Sequence, residues 1–118
     1  MVDAAYKVHV ALGPGLLESA YEAALVFELH RRGLSTARQV LVPIFYESTL
    51  IESGFRADLI VQDSVIVEIK SVEAISAVHK KQLLTYLRLS GRRLGLLINF
   101  NVRLIKDGIT RIVDNLPE

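Results

Sequence analysis

The sequence predicts an α/β layered domain: a mixed central sheet with helices packed on its faces. Three observations carry this. A long stretch rich in Ala, Leu and Glu precedes any strand pattern. Three β-prone runs then follow one another closely. A second helical stretch separates them from a further apolar run, LGLLINF, and a helix between strands is the usual way to join parallel neighbours.

Taken in order, VDAAYKVHVAL opens the chain as a short helical pattern. Gly13-Pro14-Gly15 breaks it and suits the start of a new helix. LLESAYEAALVFELHRRG predicts a helix over 16–32, ended by Arg31, Arg32 and Gly33. Basic residues in a last turn and a glycine after it are stop signals. RQVLVPIFYE, 38–47, reads as a strand in which Pro43 marks a bulge or an edge. Residues 50–61 and 64–70 give two more strands, joined near Gln62-Asp63-Ser64. A helix over 77–89 ends at Ser90-Gly91, and 92–100 is a buried strand. RLIKDGITRIV, 103–113, places an Asp-Gly turn between two β-prone runs and predicts a final hairpin.

The chain has 118 residues, which suggests one domain spanning 1–118. A hydrophobic fraction of 51% and a mean hydropathy of +0.35 point to apolar surface covered by a second copy, a homodimer. A net charge of +1 neither demands nor excludes nucleic acid. With no cysteine, disulfides, thiolate chemistry and zinc–thiolate sites are excluded. No run approaches the ~20 apolar residues that span a bilayer and no secretory signal pattern opens the chain, so a cytoplasmic location is expected. His9, His30 and His79 are scattered. Neither GxxxxGK[ST] nor GxGxxG occurs, so no Gly-rich loop cradles a nucleotide, and no serine has a nucleophile-elbow context. The arginines and lysines, from Arg31 to Arg93, are dispersed enough to be ordinary surface charge as well as a phosphate-binding face.

The chemistry concentrates in DLIVQDSVIVEIK, 58–70. An apolar hairpin holds Asp58, Glu68 and Lys70, and burying ionised groups is costly unless they are paired or metal-bound. Alternation puts Ile66, Glu68 and Lys70 on one face of their strand, and Arg56, Asp58 and Ile60 on one face of the other. A three-residue loop, Gln62 to Ser64, sets Asp58 opposite Glu68 with Cβ atoms about 5 Å apart. A two-residue turn instead pairs Asp58 with Ile69 and sends Glu68 to the other face. Two carboxylates so close need a proton or a cation between them, and hard oxygen donors suit Mg²⁺ or Mn²⁺. With Lys70 beside them, this is an arrangement for phosphodiester hydrolysis. The plain alternative is a paired Asp, Glu and Lys at the wet end of a hairpin.

Flanking helices add candidates. Glu18 lies in the first turn of the long helix, with Tyr21 three residues on along the same face. Gln82 and Tyr86, at i and i+4, share a face of the later helix. The whole order resembles the PD-(D/E)XK nuclease superfamily, and more closely its GxxExxY family, through GLLESAY at 15–21, RADLIV at 56–61, VEIKS at 67–71, HKKQLLTYLRLSG at 79–91 and LGLLINF. The resemblance implies a restriction-endonuclease-like αβββαβ core and a metal-dependent deoxyribonuclease. It implies Asp58 and Glu68 as metal ligands, Glu18 as a further ligand or water-orienting group, and Lys70 as the motif lysine. Gln82 and Tyr86 match the Gln-x-x-x-Tyr signature of RecB-like nucleases, which positions substrate, and Tyr21 joins them as the motif's tyrosine. Ala57 stands where the superfamily often has proline. The competing expectation is a nuclease fold that binds nucleic acid or protein without cutting.

Overall fold

The computed structural model describes residues 1–114. Helix α1, Val2–Leu12, buries Ala4, Ala5, Val8 and His9, one stripe at helical spacing. Helix α2, Glu18–Arg31, begins just after Gly13-Pro14-Gly15. Gly15 has φ 100°, in the region that favours glycine. Strands β1 (Thr36–Tyr46), β2 (Thr49–Val61) and β3 (Val65–Lys70) follow, then α3 (Ala77–Ser90), β4 (Leu94–Asn99) and β5 (Ile109–Val113). Ser76 caps α3 in a reciprocal capping box with His79, and Gly91 closes it at φ 71°. The αβββαβ order predicted from the sequence is present, with each predicted helix and strand through β4 displaced at its ends by at most two residues.

The five strands lie in the order β1-β2-β3-β4-β5. Only β3 and β4 are parallel, joined through α3; the other neighbours are antiparallel. One face carries Leu59, Val61, Val67, Ile69, Leu96 and Ile98 against α1 and α2. The other carries Ala57, Ile60, Ile66 and Leu97 against Leu83 and Leu87 of α3. Gly95 lets α3 approach: a Cβ there would sit 2.9 Å from the Leu83 side chain. Pro43 falls in a register shift between Val42 and Ile44, the expected bulge.

The predicted terminal hairpin is not formed. Its first run becomes a loop with a 3-10 turn, Ile105–Asp107, and β5 pairs with β4 instead. The reason is core packing. Ile105 is buried beneath α1, whose His9 Nε2 sits 2.7 Å from the Val102 carbonyl. Gly108 then lies so close to the Asn99 carbonyl that no side chain fits.

No helix of the described residues is long and apolar enough to cross a membrane.

Candidate functional site

The β2–β3 hairpin pairs Val61 with Val65, Ile60 with Ile66 and Leu59 with Val67. The connection is therefore the three-residue loop Gln62 to Ser64. Gln62 and Asp63 both adopt positive φ, 55° and 53°. The Gln62 side chain fixes the loop by accepting from the Ser35 amide at 2.7 Å and its hydroxyl at 2.8 Å. One step beyond Leu59 and Val67, this register sets Asp58 opposite Glu68.

At that step the main-chain ladder stops and the carboxylates replace it. Glu68 Oε2 accepts from the Asp58 amide at 2.8 Å, and Asp58 Oδ2 accepts from the Ile69 amide at 2.8 Å. Buried N–H groups need acceptors, so the two acids satisfy the strands that carry them. Each retains a second oxygen. Glu68 Oε1 accepts no hydrogen bond among the described residues, and Asp58 Oδ1 takes only a long one, 3.4 Å, from Gln39.

Burial pushes the Glu68 carboxyl up to about 7, with the Asp58 charge adding to the effect. Burial also raises Asp58 above the usual carboxylate range, against the Ile69 N–H bond and the Lys70 charge, which pull it down. The pair is thus short of positive charge. Lys70 acts on both electrostatically, yet among the described residues it makes no ion pair within 4.0 Å. Its backbone is held by β4: the Lys70 carbonyl accepts from the Phe100 amide at 3.0 Å.

The other expected residues are placed differently from one another. Glu18 Oε2 accepts from the Ser71 amide at 3.0 Å, just past β3, while the Ser71 hydroxyl donates to the Leu16 carbonyl at 2.8 Å. Its charge raises Glu68, but among the described residues no three His, Asp or Glu side chains converge tightly enough to enclose an ion. Glu18 thus lies at the end of β3, with one oxygen on the Ser71 amide and its charge felt by Glu68. Tyr21 is fully buried and stacks on Phe100 at 4.5 Å. Its hydroxyl donates to the Gly13 carbonyl and accepts from the Leu16 amide. It ties down the loop before α2 from within the core. Tyr86 stacks on Phe55 at 4.0 Å and is half-buried. Its hydroxyl is pushed up by burial and then by the charges of Glu68 and Asp58. Gln82, one turn earlier, is exposed.

Two residues escaped sequence reasoning. Gln39 lies directly opposite Asp58 in the β1–β2 register, between the pairs Arg38–Leu59 and Val40–Ala57. Its φ is 49°. Its Nε2 donates to Glu22 Oε1 at 2.6 Å as well as to Asp58 Oδ1. Glu22 is buried, and its Oε2 accepts from Arg38 Nε and Nη2 at 3.2 and 3.0 Å. Glu22 follows Glu18 by four residues, a same-face signal legible in the sequence. Nothing in the sequence signals the backbone of Gln39. Strand β2 also changes parity here. Ala57 joins Ile60 on the α3 side while Leu59 faces α2, so the expected single face for Arg56, Asp58 and Ile60 does not hold.

As donors, two carboxylates with spare oxygens in an electron-rich, partly buried corner fit a hard divalent cation held by Asp58 and Glu68. An acidic pair across a β-hairpin, a lysine two residues on, and helices on both faces of a mixed sheet are the α/β arrangement of a restriction-endonuclease-like fold. Residues 1–112 match the family model of the PD-(D/E)XK nuclease superfamily, and the chain belongs to that superfamily. No curated protein and no solved structure gives a significant match.

Proposed function

We propose that this protein is a metal-dependent nuclease of the GxxExxY family that hydrolyses DNA phosphodiester bonds, the whole chain forming one nuclease domain. The observation that supports the reading is the pair of carboxylates facing each other across the hairpin, Glu68 accepting from the Asp58 amide and Asp58 from the Ile69 amide, each with a second oxygen left over. Mg²⁺ or Mn²⁺ bound there supplies Lewis acidity at the scissile phosphate and acidifies a water. Asp58 and Glu68 hold it. Lys70, unpaired among the described residues, stabilises negative charge developing on the phosphate. Glu18, fixed by Ser71, orients water at the rim. Gln82 and Tyr86 present polar groups from α3 to the bound strand.

The test is nicking of plasmid and degradation of single-stranded DNA with Mg²⁺ or Mn²⁺. Cleavage is expected to disappear in Lys70→Ala; cleavage unaffected by that change sinks the assignment.

One observation favours a second reading, a nuclease fold that binds nucleic acid or protein without cutting. Among the described residues no third acidic or imidazole group completes the ligand set. Calorimetry with Mg²⁺ and Mn²⁺ separates the two, since absence of metal affinity, unchanged by Glu68→Gln, supports the binding module. A homodimer in the cytoplasm belongs to either reading. Phe45, Tyr46, Leu41 and Leu50 lie exposed on the β1–β2 ribbon, apolar surface that a second copy would cover. Light scattering that finds a monomer at high concentration excludes the dimer.

A further inference from the structure

Within β1, Gln39 is held with φ 49°, a backbone region that side chains other than glycine, asparagine and aspartate rarely occupy. Such outliers persist only where the surroundings over-determine them, and they gather at functional sites. Here the surroundings are two carboxylates. The amide nitrogen bonds Glu22 at 2.6 Å and Asp58 at 3.4 Å, and this fixes which end of the amide faces them, because carboxylates only accept.

Glu22 is suited to the task of an anchor. It is buried, and one oxygen is occupied by the Arg38 guanidinium, which balances its charge. The other oxygen takes the Gln39 amide. A neutral donor on Asp58 Oδ1 orients the carboxylate without neutralising it, whereas a lysine or arginine in that place would compete with a bound cation. The long bond to Asp58 leaves that oxygen able to turn to a stronger partner.

We infer that Gln39, anchored by Glu22 and Arg38, is a positioning residue that aims Asp58 Oδ1 at the cation of the active site. The inference rests on the nuclease reading above. Groups that orient a metal ligand are commonly worth 10- to 100-fold in metal affinity or activity, as an order of magnitude. The variants are Gln39→Asn and Gln39→Gly. Both residues tolerate positive φ, and neither side chain spans from Glu22 to Asp58.

The experiment is Mn²⁺ calorimetry on the whole chain, with thermal melting of each variant and steady-state cleavage of DNA. The expected result is a dissociation constant for Mn²⁺ weakened by about tenfold or more in both variants, with cooperative melting retained. In cleavage, kcat falls and KM for DNA stays near the wild-type value. Wild-type Mn²⁺ affinity in a folded variant overturns the role of Gln39 while leaving the nuclease reading standing. A wild-type chain that neither binds Mn²⁺ nor cleaves DNA overturns the nuclease reading, and the role of Gln39 with it.

Discussion

Replacing Glu68 by glutamine isolates the electrostatic cost of the site. In the folded chain burial, and then Asp58, lift this carboxyl from its ordinary 4.5 to about 7. The folded state therefore favours the protonated form. No penalty exists below pH 4.5, where the group is protonated whether folded or not. The penalty grows as pH rises and is complete above about pH 7. A displacement of that size corresponds to roughly 3 kcal/mol against folding when the group is ionised. Glutamine carries no charge and keeps a carbonyl oxygen for the Asp58 amide, now accepted at 2.8 Å by Oε2. The value of about 7 already includes the bond to the Asp58 amide, so no separate hydrogen-bond cost is subtracted. The balance in chelator at pH 8 to 9 is a stabilisation of about 3 kcal/mol, or roughly 12 °C in Tm for a chain of this length. At pH 4.5 the two proteins melt within a degree or two of each other. The assay is calorimetric melting of both proteins from pH 4.5 to 9 with EDTA. Saturating Mn²⁺ narrows the gap at pH 8, because it stabilises only the ionised wild-type site. A Tm difference that is the same at pH 4.5 and pH 9 refutes the reasoning.

Three further outcomes follow from packing and hydrogen bonding. Tyr21→Phe removes the hydroxyl bonds to Gly13 and Leu16 and is expected to cost about 1–2 kcal/mol in urea unfolding. On the proposed nuclease reading, DNA cleavage is expected to fall as well, since the same loop leads into Glu18. Gly108→Ala forces a Cβ onto the Asn99 carbonyl, where no space exists. The expected loss exceeds about 3 kcal/mol, read by denaturant melts and by faster amide exchange in β5. Leu83→Ala costs about 2–5 kcal/mol through the cavity it leaves. Gly95→Ala, which clashes with Leu83 in the wild type, is milder in that background. A double-mutant cycle that returns simple additivity rejects the contact.

The residues now known to gather around the acidic pair differ in how visible they were. Asp58, Glu68 and Lys70 stand out because charge inside an apolar hairpin is costly and therefore informative. Parity left a two-residue turn open; the three-residue loop is the one that pairing the acids requires, and the structure has it. The terminal hairpin was misjudged because Asp-Gly between β-prone runs is a local signal. Burial of Ile105 under α1, a contact between distant parts of the chain, overrode it. Tyr21 shares a helix face with Glu18 in sequence, yet its ring enters the core against Phe100. Helical periodicity gives a face but not the depth of a side chain within it.

The sequence by itself determined the order of helices and strands through β4, the mixed α/β class and the acidic hairpin, because these depend on periodicity, turn chemistry and the cost of buried charge, all local along the chain. Only the tertiary structure decided that Glu18 is held at Ser71, and that the Gln39 amide bridges Glu22 and Asp58 from elements far apart in sequence. Those contacts depend on where α2 lies against β1 and β3, and on one left-handed backbone in a strand, which no pattern of residue types encodes.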